Sequence, residues 1–205
     1  MLRPRRVDHP APEPDPDPGS SLLARRLRDG ESMAFNVVVA QQWRRTVAYA
    51  FALLDDRDLA CDVAQEAFVR LWQARARLDP ERPLVPWLLK ITRNLCVNER
   101  RKLEVRWRWA AQQRQSDQVE PSTPLQDLEI RELNTAIMRA IKSLPPRRRE
   151  VFTLFHLQKL SYREIAQVMD IRPQSAANHV QAAIADLRTA LADYFPHFAR
   201  TPEHP

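Results

Sequence analysis

Only two glycines, Gly19 and Gly30, occur among the 205 residues. Tight hairpins depend heavily on glycine, which argues against a many-stranded fold. Prolines are frequent, but they are confined to the tails and a few boundaries, and the long stretches free of both breakers favour helices. The two cysteines, Cys61 and Cys96, have neither CxxC spacing nor a histidine at metal-ligand spacing. They read as small buried hydrophobes in a reducing cytoplasm, with no metal. The longest apolar run, Val47–Leu54, falls well short of the roughly 20 residues a membrane span needs. The basic start (Arg3, Arg5, Arg6) leads into prolines and acids rather than an apolar segment, so no secretory signal and no membrane insertion are expected. A Gly-rich phosphate loop, a zinc-ligand pair and a nucleophile beside a base are all missing, which argues against an enzyme and against a cofactor.

What is present is positive charge and helical patterning. The formal net charge is +6, and the pI is about 9.9. A basic balance favours a polyanionic partner, nucleic acid before membrane surface. Residues 1–19 interleave prolines with acids and cannot bury enough apolar area to offset ordering entropy, so they read as a disordered tail. Ser20 or Ser21 is placed to cap a short helix ending at Gly30, and a second helix follows from about Glu31 to Leu54. Asp55 and Asp56 offer an N-cap for a third helix reaching about Leu78. After a loop at Asp79-Pro80 and Pro83, Pro86 starts a fourth helix that runs to about Lys102. Gln112–Pro124 is polar and is the obvious linker, which sets boundaries of 20–104 for a first domain, 105–126 for a flexible linker, 127–195 for a second domain and 196–205 for a tail. The expected class is all-α, with two small helical domains.

The second domain carries the more specific signal. A helix from about Asp127 stops before Pro145-Pro146, and another runs from Pro146 to about Gln158. Ser161-Tyr162-Arg163-Glu164 is a capping box that starts a short helix ending at Met169. After a brief turn, Pro173 opens a longer helix with Val180, Ile184, Leu187 and Leu191 on one face. This is a helix-turn-helix layout, in which the second helix enters the major groove. Its other face carries Gln174, Ser175, Asn178, His179 and Gln181, polar side chains able to bond base edges. A solvated bundle surface is the alternative. Arg147, Arg148 and Arg149 lie in the first turn of a helix, where cations oppose the dipole unless a phosphate docks there or Glu150 and solvent screen them.

In the first domain, the third helix places Ala60, Val63, Ala64, Ala67, Phe68, Leu71 and Trp72 on the core side. Asp58, Asp62, Gln65 and Val69 form the opposite stripe with Glu66 beside it, and a lone valine there suggests a partner helix. The fourth helix turns Trp87, Leu88, Ile91 and Leu95 inward and Lys90, Arg93, Asn94, Val97 and Arg101 outward, with Arg106, Trp107, Arg108 and Trp109 beyond. A basic face with aromatics nearby suits a nucleic-acid backbone and unstacked bases, although such runs are more commonly a solvated face.

Two stretches carry a family resemblance. The first is Asp62-Val63-Ala64-Gln65-Glu66-Ala67-Phe68-Val69-Arg70-Leu71-Trp72, with Pro86-Trp87-Leu88-Leu89-Lys90-Ile91-Thr92-Arg93-Asn94 after it. The second is Leu144-Pro145-Pro146-Arg147-Arg148-Arg149-Glu150-Val151-Phe152, with Leu160-Ser161-Tyr162-Arg163-Glu164-Ile165-Ala166 after it. They resemble regions 2 and 4 of the sigma-70 family of RNA polymerase sigma factors. The length leaves no room for other sigma domains, which fits the extracytoplasmic-function (ECF) group. The resemblance implies a cytoplasmic factor that directs core polymerase to promoters and melts them. By this resemblance Asp58, Asp62, Gln65, Glu66 and Val69 meet the clamp helices of the beta-prime subunit. The loop Asp79–Leu84 and the face Lys90, Arg93, Asn94, Val97 hold the minus-ten element. Region 4 reads the minus-thirty-five element beside the beta flap, and an anti-sigma factor is an implied partner.

The chain departs from the family in the turn and the last helix. Asp170 stands where glycine is usual, Arg172 replaces the usual Ser cap, and Ser175-Ala176 replaces a Thr-Val pair. The groove face has Ala177, Asn178, His179 and Ala182 rather than arginine, which predicts a different target sequence. Cys61 stands where an acid is common. Asn178-His179-Val180 also looks like the second helix of LuxR-type regulators, a reading that leaves the first domain unexplained. A pure protein-binding adaptor is a further alternative.

Overall fold

In a computed structural model the described residues are 18–111, 128–192 and 194, with side chains for 21–104, 135–192 and 194. They form helices without strands, and no helix among them is long and apolar enough to cross a membrane. The Pro-rich N-terminal segment, most of the expected linker and the C-terminal tail lie outside the described residues.

Helix α1 (Pro18–Arg28) begins at Pro18, so Ser20 and Ser21 sit inside its first turn rather than capping it. It ends as expected at Gly30, whose φ of 87° is the left-handed conformation glycine adopts without strain. There the Glu31 N–H reaches back to the Arg26 carbonyl at 3.1 Å, closing a six-residue C-terminal turn. Helix α2 (Ser32–Leu54) stops where Asp55 turns left-handed. The side chain of Asp56, the next residue, accepts from the Leu59 N–H at 2.9 Å and starts α3 (Arg57–Gln73). The third helix is shorter than its pattern suggested. After Gln73 the chain tightens into a 3-10 turn, Arg75–Arg77. Arg75 donates to the Trp72 carbonyl, and its guanidinium lies 4.2 Å from the Trp72 ring centroid.

Helix α4 (Leu84–Ala111) is longer than expected at both ends. Pro86 falls in its first turn, where the missing N–H removes no helix bond, and its last turns extend into the stretch read as linker. Helices α5 (Leu128–Ser143), α6 (Pro146–Phe152), α7 (Tyr162–Met169) and α8 (Pro173–Ala190) follow among the described residues. The segment expected as one helix from Pro146 to Gln158 passes from α6 into a π turn, Thr153–Leu157, closed by the Gln158 N–H on the Thr153 carbonyl. The capping box at α7 forms in full: Ser161 Oγ accepts from the Glu164 N–H, and the Glu164 carboxylate accepts from the Ser161 N–H.

The predicted inward faces turn to the core, buried at most positions and half-buried at Trp72, Trp87, Ile91, Ile184 and Leu191. Leu27, Val38, Val63, Phe68, Leu71, Leu88 and Leu95 form a core among α1–α4. Each such side chain contributes about 1.5–3 kcal/mol on burial. A second core holds Val151, Leu154, Leu160, Ile165, Val168, Met169 and Val180. That second core also contains Tyr49 of α2 and Leu89 of α4, both essentially inaccessible to solvent. The N- and C-terminal halves thus share apolar packing, with α4 lying against α7.

Candidate polymerase and nucleic-acid surfaces

The α3 stripe is open. Asp58, Asp62, Gln65, Glu66 and Val69 are all exposed, while Ala60, Val63, Ala64, Ala67 and Phe68 on the opposite side are buried. Glu66 accepts from Arg70 at 2.7 Å one turn on, an exposed pair that orders the stripe more than it stabilises it. In the loop before α4, Asp79 accepts from the Glu81 N–H at 3.1 Å and pairs with Arg82 at 3.1 Å. The loop is anchored by Leu78, Pro80 and Leu84, all buried, and leaves Glu81, Arg82 and Pro83 exposed.

The α4 face is divided. Asn94 and Arg101 are exposed, and Val97 is half-buried. Arg93 is turned into the boundary with the C-terminal half, its side chain only 17% exposed, and its Nε donates to Glu150 Oε1 at 2.6 Å. Tyr49 donates its hydroxyl to the same oxygen at 3.1 Å. Burial opposes the charge on Arg93, but the charge and hydrogen bond of Glu150 outweigh it and hold the guanidinium above its ordinary pKa. Burial, then Glu150, raises the Tyr49 phenol well above its ordinary value. Burial, again with Glu150, pushes the nearby Cys96 thiol up to about 12, leaving it an unreactive small hydrophobe as its sequence context suggested. Lys90 approaches Asp170 of the helix-turn-helix at 4.0 Å.

A second polar junction sits at the end of the π turn. The Arg45 Nε donates to Gln158 Oε1 at 2.8 Å, another guanidinium N–H donates to the Gln158 carbonyl, and the Gln158 side-chain amide donates to the Arg45 carbonyl at 3.4 Å. Gln158 is buried. None of Tyr49, Arg45, Glu150 or Gln158 was singled out for such a role from sequence. The available signal was a tyrosine in an apolar run, whose hydroxyl needs a partner when buried.

The three arginines of α6 separate. Arg147 is exposed with no partner among the described residues. Arg148 pairs with Asp186 of α8 at 2.6 Å. Arg149 donates to the Lys142 and Leu144 carbonyls, where its charge complements the C-terminal end of α5. Glu150 screens none of the three, because it points into the domain boundary.

On α8, Gln174, Asn178 and Gln181 form one exposed stripe, and the Gln174 amide donates to Asn178 Oδ1 at 3.0 Å. Ser175 and His179 are half-buried, and Ala177, placed on the groove face by sequence, is buried against the core. Arg172 provides no side-chain cap, and Asp170 takes the left-handed conformation (φ 57°) where the family's glycine is expected.

The comparisons with known proteins agree with this layout. The family model for Sigma-70 region 2 matches residues 39–106, and that for Sigma-70, region 4 matches residues 134–187. The chain is 28% identical over 176 residues to the probable RNA polymerase sigma factor RfaY of Xanthomonas campestris, covering 83% of this chain but 44% of that protein, so it spans less than half the length of RfaY. It is 26% identical over 180 residues to the ECF RNA polymerase sigma factor SigW of Bacillus subtilis, covering 82% of this chain and 95% of SigW. A solved structure of the sigma factor RpoE with the anti-sigma factor NepR from Bartonella quintana shares the fold. Its TM-score is 0.59 at 22% identity, over 77% of this chain and 96% of that one. Two family regions in their expected order, each on the half of the chain that has its helices, place this protein in the sigma-70 family of RNA polymerase sigma factors, among the ECF group.

Proposed function

We propose that the protein binds core RNA polymerase, directs it to particular promoters and opens the DNA there, acting in the cytoplasm without catalysing a reaction itself. The observation that carries this reading is the α3 stripe: five polar or isolated apolar side chains, all exposed, on a helix whose opposite face is core. A surface helix with acidic residues around one exposed valine suits a docking partner with complementary charge at its rim and an apolar centre. On this reading the stripe meets the clamp helices of the beta-prime subunit. The Asp79–Leu84 loop and the α4 residues Lys90, Arg93, Asn94, Val97 and Arg101 take the displaced minus-ten strand. The stripe Gln174, Asn178, Gln181, flanked by Ser175 and His179, reads the upstream element, with phosphate anchoring from Arg147 of α6 and region 4 lying beside the beta flap. An anti-sigma factor is the natural regulator of such a chain.

The deciding experiment is transcription in vitro. Purified protein added to core polymerase and a pool of genomic promoter fragments is expected to give discrete start sites that core alone does not. Absence of any protein-dependent start site, with active core shown by a control factor, rules the reading out.

A further inference from the structure

Helix α8 begins at a residue that the amide stripe leaves out. Arg172 is its N-cap, and the side chain makes no cap hydrogen bond. It is exposed and has no partner among the described residues. Both features work against the helix. A short oxygen-bearing side chain there would satisfy a free helix N–H, and a cation lies against the positive end of the dipole. Neither a cap nor an ion pair accounts for arginine at this position. Its backbone is nonetheless fixed. A residue before proline is confined to the extended region, and Arg172, followed by Pro173, sits there at φ −79° and ψ 146°. The side chain thus departs from a set point immediately before the first turn of α8. In a helix-turn-helix the N-terminal residues of the second helix are the ones that meet base edges. From Ile171 to Ala182 the chain has no Asp or Glu and a single Lys or Arg, which is Arg172. Gln174 lies two residues on, and Asn178 and Gln181 continue the exposed stripe. Their amides suit adenine, whereas the parallel N–H groups of a guanidinium match O6 and N7 of guanine.

We propose that Arg172 is a specificity-determining residue, whose guanidinium donates two hydrogen bonds to O6 and N7 of a guanine beside the adenine read by the amide stripe. The inference rests on the proposed placement of α8 in the major groove. The upstream element is then defined by a guanine and an adenine together, each read by a different part of the helix. The Pro173 restraint lowers the entropy lost when the long side chain is ordered on the base, because the backbone it springs from is already in place.

The test uses the full chain assembled with core polymerase, selected on promoter fragments randomised across the upstream element. Wild type, Arg172→Ala, Arg172→Gln and Asn178→Ala are compared, and circular dichroism shows that each is folded. Wild type is expected to enrich a guanine, with discrimination of about tenfold or more at that base pair, the worth of one bidentate contact. Arg172→Ala is expected to lose this preference and keep the adenine. Arg172→Gln is expected to move the preference at the same base pair to adenine, a switch that a merely structural residue would not produce. Asn178→Ala is expected to keep the guanine. A uniform loss of binding in Arg172→Ala, with a flatter salt dependence and the guanine retained, makes Arg172 a phosphate contact and overturns the base readout. A guanine retained at full strength in both Arg172 variants overturns it as well. If the adenine depends on Asn178 or Gln181 while no base pair depends on Arg172, only the role of Arg172 falls. If wild type enriches no upstream sequence at all, the placement of α8 in the groove falls with it.

Discussion

Glu150 Oε1 accepts from both Arg93 Nε and the Tyr49 hydroxyl, at 2.6 and 3.1 Å, although the three residues come from three different helices. One buried carboxylate thus satisfies a cation on α4 and a phenol on α2. Removing it strands both groups where water does not reach easily. Breaking a buried pair from one side costs about 3–5 kcal/mol. Glu150→Ala is expected to lose stability in that range by urea denaturation, and Tyr49→Phe only about 1 kcal/mol, since it removes one neutral donor. Equal losses in the two variants would show that the carboxylate is not the hub of the junction.

The same geometry sets an alkaline limit. The Tyr49 phenol is held protonated above its unfolded value of about 10, so folding favours the protonated form. Its contribution is fully present below pH 10 and is lost as pH rises through the higher folded value. The buried Cys96 thiol acts in the same direction. Thermal melts from pH 8 to 11 should show a midpoint that begins to fall near pH 9, where the unfolded thiol titrates, and falls more steeply from about pH 10, and this steeper part should be shallower in Tyr49→Phe. An identical slope in that variant would assign the loss to other groups.

Charge reversal on α3 separates docking from folding. Asp62→Lys combined with Glu66→Lys alters only exposed side chains, so helicity and melting temperature should change little. Co-purification with core polymerase is expected to be abolished. Full recovery of the variant with core would remove the stripe from the interface.

The α6 arginines are no longer expected to behave alike. Arg147, exposed and unpaired among the described residues, is the one poised for a phosphate. Arg147→Ala should flatten the salt dependence of duplex promoter binding by about 0.9 log units per log unit of salt. Arg148→Ala breaks the half-exposed pair with Asp186 and should cost only about 0.5 kcal/mol of stability. A slope that changes with Arg148 and not with Arg147 would reverse the assignment.

The proposed sequence readout rests on the α8 stripe. Asn and Gln fit adenine in the major groove, where arginine prefers guanine. The Gln174 amide donates to Asn178 Oδ1, so the two side chains present a joint polar edge. Asn178→Ala or Gln181→Ala is expected to cost about 1–3 kcal/mol on the preferred site and to relax selection at one adenine. Selection on randomised upstream DNA with each variant is the measurement. No change at any position would mean the helix lies differently in the groove.

The helix map was legible in the sequence because each signal was local. Asp56 as cap, the Ser161–Glu164 box, Pro173 at a helix start and the inward faces of α3 and α8 are readable within a few residues of themselves. The misplacements were also local in cause. Periodicity carried the third helix past Gln73 because Leu78 keeps the apolar phase, whereas the chain actually tightens at Arg75, where the side chain leans on Trp72. Of the candidate surfaces, the α3 stripe and the α8 amides were readable as polar faces on amphipathic helices. What was not readable was the junction. Glu150 stands in a run of arginines and reads as their screen, yet its partners lie 57 and 101 residues away. No periodic pattern encodes pairs that distant, and Arg93 was therefore assigned to an open face that the fold half closes.

The shared second core also has a consequence for the order in which the chain acquires its structure. Tyr49 and Leu89 leave the ribosome well before the side chains that cover them, from Val151 through Val180, are made. At 5–20 residues per second the gap between completing α4 and completing α8 is on the order of ten seconds. During that interval the nascent chain has its α1–α4 core and its α3 stripe, but neither Glu150 nor Gln158. A growing chain therefore passes through a stage in which α4 is bare, and it is covered only after α6, α7 and α8 have been made.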